Sequence, residues 1–155
     1  MRSIAILDAG PLYAATDRSE PDHRRCVDVL RRRDLELVIP VLAVAQAAHF
    51  VGKRLGPTTE SAFVRGLSGF AIETPGAEDW PVIADLVERY ADLRLGTTDA
   101  ATIVLADRLG TDLIVTLDRR HFGTVQSPQG RRFRLLPEPP QVHEGRHGPP
   151  IELQI

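Results

Sequence analysis

The sequence predicts an α/β domain built on a parallel sheet with helices on both faces. Two observations support this prediction. Short apolar runs of strand length recur along the 155 residues, and segments with apolar residues at helical spacing lie between most of them. Strands that alternate with helices indicate parallel crossover units, and strands covered on both faces are apolar throughout.

The predicted strands are short and end at residues that favour turns. The first of them, Ser-Ile-Ala-Ile-Leu, is followed by a carboxylate and then by a Gly-Pro pair. The last contains several arginines, so we expect it at an edge of the sheet. The predicted strands are residues 3–7, 35–40, 70–74, 112–118 and 131–137.

The segments between the strands carry helix signals. Gly56 can close a long apolar helix, Thr98 can cap the start of a later one, and Gly110 can end it. The predicted helical segments are a turn at 11–15 and helices at 21–33, 41–56, 60–67, 78–91 and 97–110.

Composition limits the class of protein. We expect one domain over residues 1–137, followed by a Pro/Gly-rich tail at 138–155 that is either disordered or laid over a surface. The lone cysteine, Cys26, excludes an internal disulfide framework and fits a reducing compartment. No apolar stretch approaches the roughly 20 residues of a membrane span, so we expect a cytoplasmic protein with no membrane partner. The net charge of −2 still allows nucleic-acid binding through a local basic patch.

Three aspartates occupy positions at which they could meet. Asp8 follows the first strand, Asp118 follows the fourth, and Asp99 lies in the first turn of a helix. If the first and fourth strands are neighbours, their carboxyl ends share one crevice, and the repulsion among three carboxylates would then require a cation. Oxygen ligands without a cysteine cluster or a paired-histidine motif indicate Mg²⁺ or Mn²⁺. Each aspartate also has a plain interpretation as a turn or helix-start residue, and spacing alone leaves both interpretations open.

Other acidic residues are predicted to be solvated. Asp79 and Asp85, for example, fall on the polar face of the helix at 78–91. A phosphotransfer domain with Asp8 as phosphoacceptor is a weaker alternative, because Gly10 stands where a dehalogenase-type site has its second aspartate.

Five motifs together resemble the PIN-domain ribonucleases, and more narrowly the VapC toxins of bacterial VapBC toxin–antitoxin pairs. The resemblance covers residues 3 to 137 and implies a sheet in the order 3-2-1-4-5. It also implies RNA phosphodiester cleavage with Mg²⁺ or Mn²⁺, a homodimer, and a VapB-type antitoxin as partner. The motifs are ILDAGPL, IPVLAVAQAAHFVGKRLG, LRLGTTDAATIVLADRLG, IVTLDRRHF and FRLLP.

The resemblance assigns the site residue by residue, with one departure. The first, third and fourth acids are Asp8, Asp99 and Asp118, but the position of the second, normally Glu, is Gln46. Glutamine keeps the shape of glutamate and loses its charge, so it cannot act as a general base. Three explanations stay open. The residue is natural and the enzyme is weaker or rewired, the chain is an impaired module that binds antitoxin or RNA without efficient cleavage, or the toxin was disarmed by an engineered substitution. Gln46 could also be a buried polar residue satisfied by its neighbours.

Further residues would assist such a site. Thr116 could hydrogen-bond a carboxylate or a phosphate. The region 58–72, with its apolar side chains, could belong to a dimer or antitoxin surface, or equally to the core. Basic residues expected to hold the RNA backbone are Arg119, Arg120, His121, Lys53, Arg54 and Arg94.

Overall fold

A five-stranded parallel sheet in the order β3-β2-β1-β4-β5 forms the centre of the computed structural model, which describes residues 1–140. This order confirms the predicted α/β class and places β1 between β2 and β4. The strands are β1 (Ser3–Leu7), β2 (Leu35–Pro40), β3 (Ala71–Glu73), β4 (Leu113–Val115) and β5 (Arg134–Leu136).

Seven α-helices connect the strands within the described residues. Two short 3-10 turns, at Leu67–Gly69 and Ala91–Leu93, follow α4 and α5. The helices are α1 (Ala9–Ala14), α2 (His23–Leu30), α3 (Val41–Leu55), α4 (Pro57–Gly66), α5 (Asp79–Arg89), α6 (Thr97–Arg108) and α7 (Arg119–Phe122).

Helices cover both faces of the sheet, which explains why the central strands are largely apolar. Leu7 and Ile39 face a cluster that includes residues of α1, α2 and α3. Their strand neighbours Ile6 and Val38 point the other way, against Leu105 on α6. Since successive side chains of a strand alternate between faces, both sets of strand residues are buried.

The structure corrects several predicted boundaries near the ends of β1 and β4. Helix α1 begins at Ala9 rather than 11, because Pro11 lies in the first turn, where a backbone N–H would have no intrahelical acceptor. Strands β4 and β5 are three residues each, shorter than the predicted 112–118 and 131–137. Helix α7 was not predicted at all. The prediction that Thr98 caps α6 is wrong, because the helix begins at Thr97 and Gly96 is its N-cap residue, with no side-chain cap.

Part of the predicted tail lies outside the described residues. Of residues 138–155, the structure describes only 138–140, so the domain boundary at 137 remains a prediction. Cys26 is fully buried, so it packs as a small core residue. Within residues 1–140, no helix combines the length and apolar character required to cross a membrane.

Asp79 is buried, so the prediction that it is solvated is wrong. Its Oδ2 accepts hydrogen bonds from the Gly76 backbone N–H (2.8 Å) and from Arg108 Nη1 (2.7 Å). The carboxylate thereby links the start of α5 to the end of α6. The helical pattern placed Asp79 on the polar face of α5, but that part of the helix packs against α6.

Replacing Asp79 with alanine should lower the free energy of unfolding by about 1–3 kcal/mol, because the Gly76 N–H and the Arg108 guanidinium both lose an acceptor. Urea unfolding followed by circular dichroism would measure the change. Asp85→Ala is the matched control on the same helix, since Asp85 is exposed, and should stay within about 0.5 kcal/mol of the parent. Equal losses in the two variants would contradict the role assigned to Asp79.

Candidate active site

Asp8 lies at the carboxyl end of the central strand, directly before α1. Its backbone N–H donates to the Val115 carbonyl at 2.9 Å, so β1 and β4 stay paired up to the carboxylate. Only 7% of Asp8 is exposed. The position of this side chain is therefore fixed by sheet pairing on one side and by a helix start on the other.

Thr116 links Asp8 to Asp118. Its hydroxyl donates to Asp8 Oδ2 at 2.9 Å and accepts from the Asp118 backbone N–H at 3.0 Å. Thr116 is itself buried, and its backbone N–H donates to the carbonyl of Leu136, the last residue of β5. The hydroxyl thus contacts the carboxylate of Asp8 and the backbone of Asp118 through one side chain.

Asp118 and Asp99 meet around His121. Asp118 caps α7 by accepting the His121 backbone N–H at Oδ1 (3.0 Å). The other oxygen, Asp118 Oδ2, lies 2.9 Å from His121 Nδ1, and Asp99 Oδ2 lies 3.0 Å from the same nitrogen. Asp99 comes from the first turn of α6, so two separate helix starts converge on one imidazole.

The carboxylates of Asp8 and Asp99 are held in an environment that disfavours their negative charge. Burial is the largest cause that raises the pKa of Asp8, from 3.8 to about 6, and the charges of Asp99 and Asp118 add to it while the Thr116 hydroxyl opposes it. Burial also raises the pKa of Asp99, against the effect of His121. A bound cation would relieve both the desolvation and the repulsion.

An open cleft of about 680 Å³ connects these groups with Gln46. Gln46 lies on an exposed part of α3, so the alternative interpretation of a buried, satisfied polar residue is wrong. The residues that line the cleft are Asp8, Ala9, Gly10, Gln46, Asp99, Leu117, Asp118, Arg119 and Arg120.

The donor atoms present suit a divalent metal ion. One oxygen of Asp99, one oxygen of Asp118 and a ring nitrogen of His121 all lie within 4.8 Å of one another. The carboxylate of Asp8 lines the same cleft. The predicted oxygen-only ligand set does not include His121, a predicted RNA-holding residue that the structure places beside two of the acids. The sequence signal for this position was its spacing. His121 comes three residues after Asp118, and in a helix capped by Asp118 a side chain at that distance lies close to the capping carboxylate.

The predicted basic residues divide into two groups. Arg119 and Arg120 line the cleft and are exposed, and the Arg119 guanidinium also donates to the Pro137 carbonyl. Lys53, Arg54 and Arg94 do not line it. The Arg54 guanidinium lies over the rings of two neighbours, 5.3 Å from the centre of Tyr13 and 4.9 Å from that of Phe50.

Comparison with known proteins gives consistent matches. Residues 5–126 match the PIN domain family. Ribonuclease VapC26 of Mycobacterium tuberculosis (strain ATCC 25618 / H37Rv) is 39% identical over 134 residues, which are 85% of this chain and 99% of that protein.

Solved structures with 14–16% sequence identity share the fold. VapC20 of Mycobacterium tuberculosis, described as a Sarcin-Ricin loop cleaving toxin, matches with a TM-score of 0.69 over 79% of this chain and 97% of its own. VapBC2 from Rickettsia felis, bound to a DNA fragment from its promoter, gives 0.63 over 85% and 98%. A toxin–antitoxin complex from Klebsiella pneumoniae gives 0.58 over 78% and 92%.

Asp8→Asn should stabilise the metal-free protein at pH 7.5. Because the pKa of Asp8 is higher in the folded chain (about 6) than its ordinary value of 3.8, the folded state binds the proton more tightly, and stability falls as pH rises through this range. The neutral amide avoids this loss, which amounts to about 3 kcal/mol above pH 6.

Urea unfolding with a chelator present, from pH 4 to 8, would measure the effect. The two proteins should converge near pH 4, where Asp8 is protonated in the parent. Asp28→Asn, at an exposed position of α2, is the control and should leave the pH dependence unchanged. An Asp8→Asn protein that is no more stable than the parent at pH 7.5 would contradict the assignment.

Proposed function

This chain belongs to the VapC toxin family of PIN-domain proteins, and from that premise we propose that it is a divalent-metal-dependent endoribonuclease toxin of a type II toxin–antitoxin pair. The observation that carries the proposal is the convergence of Asp8, Asp99 and Asp118 on one cleft at the ends of neighbouring parallel strands. The ribonuclease name of the 39%-identical relative supports the same reaction class.

The residues of the cleft have distinct parts in such a reaction. Asp8, Asp99 and Asp118 would hold Mg²⁺ or Mn²⁺, whose chemistry when bound is to activate water and to neutralise charge on the scissile phosphate. Thr116 keeps the Asp8 carboxylate in place through its 2.9 Å hydrogen bond. The raised pKa of Asp8 indicates that its charged form is unfavourable in the folded chain, so a bound cation would stabilise that form.

Gln46 supports a second candidate function, an impaired module that binds antitoxin or RNA. It lines the cleft at the position where the family resemblance implies glutamate. Its amide can hydrogen-bond a water or a phosphate oxygen, but it adds no negative charge to attract a cation and cannot take up a proton as a base. The site therefore holds one carboxylate fewer than the resemblance implies.

We propose RNA as the substrate because cationic side chains flank the acids. Arg120 is exposed at the cleft, where its guanidinium can meet a backbone phosphate. Arg119 is adjacent and partly committed to the Pro137 carbonyl. Lys53 and Arg54 are the weaker part of this proposal, because they lie outside the cleft lining.

We propose a VapB-type antitoxin as partner, a homodimer as the toxin's own assembly, and the cytoplasm as its location. Two of the fold relatives are toxin–antitoxin assemblies by description, which supports the first. Helix α4 offers a surface for either contact: Val64 is 51% exposed, while Phe63 packs partly against the core. Phe70 and Leu67 behave like Phe63, so the 58–72 region contributes to both the core and the surface.

The purified chain should cleave RNA when Mg²⁺ or Mn²⁺ is added, and chelation should abolish the reaction. Asp99→Ala should lower the rate by about a hundredfold or more, because a ligand and its charge are lost. Gln46→Glu should bind Mn²⁺ about tenfold more tightly, because the added carboxylate restores a negative charge. Gel analysis of RNA fragments and calorimetric Mn²⁺ titration would measure both effects.

The outcomes separate the two candidate functions. Cleavage by the parent chain supports the enzyme. Cleavage by Gln46→Glu alone would establish the impaired module for this sequence. The absence of both cleavage and metal binding in the two proteins would contradict the nuclease proposal.

Arg120→Ala should weaken RNA binding and reduce the slope of log affinity against log salt by about one, because one phosphate contact is lost. Fluorescence anisotropy with a labelled RNA and the Asp99→Ala background, which prevents cleavage, would measure it. Arg89→Ala, at an exposed position of α5 outside the cleft, is the control. Equal slopes for the Arg120 and Arg89 variants would contradict an RNA contact at Arg120.

A further inference from the structure

His121 brings a nitrogen atom into a cluster that is otherwise carboxylate. Its Nδ1 lies 2.9 Å from Asp118 Oδ2 and 3.0 Å from Asp99 Oδ2. The side chain is largely buried, with 18% of its area exposed. Its backbone N–H donates to the second oxygen of Asp118, so the imidazole and the carboxylate are fixed relative to each other.

A single hydrogen bond from His121 cannot satisfy both carboxylate oxygens that face its ring nitrogen. Nδ1 carries at most one proton, yet two carboxylate oxygens from different helices face it at nearly the same distance. One N–H cannot point well at both oxygens. A cation shared by the nitrogen and the two oxygens would satisfy all three atoms at once, with the imidazole proton on Nε2.

The distances also fit shared coordination. Neighbouring ligand atoms of an octahedral ion with bonds of 2.0–2.1 Å are about 3 Å apart. The two measured nitrogen–oxygen separations, 2.9 and 3.0 Å, are of this size. The third pair of atoms, the oxygens of Asp99 and Asp118, lies within 4.8 Å, so a small closure of the two carboxylates would complete one face of the coordination shell.

We propose that His121 is a metal ligand through Nδ1 and that this nitrogen makes the cleft select Mn²⁺ over Mg²⁺, an inference that rests on the proposed metal-dependent function. Mg²⁺ prefers oxygen donors and retains its waters, whereas affinity for transition ions rises with an imidazole ligand. The missing carboxylate at Gln46 strengthens the argument, because a site with fewer anionic oxygens depends more on its nitrogen.

Two measurements on the full chain test this proposal without reference to RNA cleavage. Pulsed EPR of the Mn²⁺-loaded protein should show coupling to a directly bound ¹⁴N nucleus. Calorimetric titration with Mn²⁺ and with Mg²⁺ should show that His121→Ala loses about tenfold or more in Mn²⁺ affinity. Its Mg²⁺ affinity should change by less, within about threefold. His49→Ala, at an exposed histidine outside the cleft lining, is the control and should keep both the coupling and the affinities.

The results distinguish this inference from the proposed function. Loss of the nitrogen coupling in His121→Ala, with retention in His49→Ala, supports the ligand role, and it does so even if the chain cleaves no RNA. RNA cleavage by a parent protein without nitrogen coupling would overturn the ligand role and leave the nuclease intact. Tighter binding of both ions to His121→Ala would also overturn it, since His121 would then only compete with the metal for the carboxylates.

Discussion

The burial of Asp8 at the end of the central strand is the constraint on which the rest of the site depends. A carboxylate in this position is desolvated and is repelled by two other carboxylates. It stays there because the backbone on both sides of Asp8 is held in place. Sheet pairing between Asp8 and Val115 fixes one side, α1 fixes the other, and the Thr116 hydroxyl fixes the side chain. The surrounding fold supplies the free energy that keeps this charge cluster together.

The sequence predicted those parts of the structure that local rules determine. Apolar strands, the glycines that end α3 and α6, and the strand-end positions of Asp8 and Asp118 follow from periodicity and turn chemistry, which are properties of neighbouring residues. The strand order required the family resemblance, because periodicity does not say which strands pair.

Contacts between elements that are distant in the sequence could not be predicted from local sequence patterns. Asp79 is buried because Arg108 approaches it from another helix. Arg54 is held over Tyr13, a residue of α1, and this keeps it out of the cleft lining. His121 joined the site through α7, which is too short to leave a periodic pattern. In each case the two residues in contact are far apart in the sequence, or one of them lies on a turn too short to show a hydrophobic period.

The exposure of Gln46 has an evolutionary consequence. Glutamine and glutamate have nearly the same shape, and their codons differ only at the first base. Because Gln46 faces the cleft from a solvent-accessible part of α3, exchange between the two requires no rearrangement of the core. The charge of the cleft is therefore one point mutation away from the charge that the family resemblance implies. A lineage that carries this gene can change the negative charge of the cleft while the fold remains unchanged.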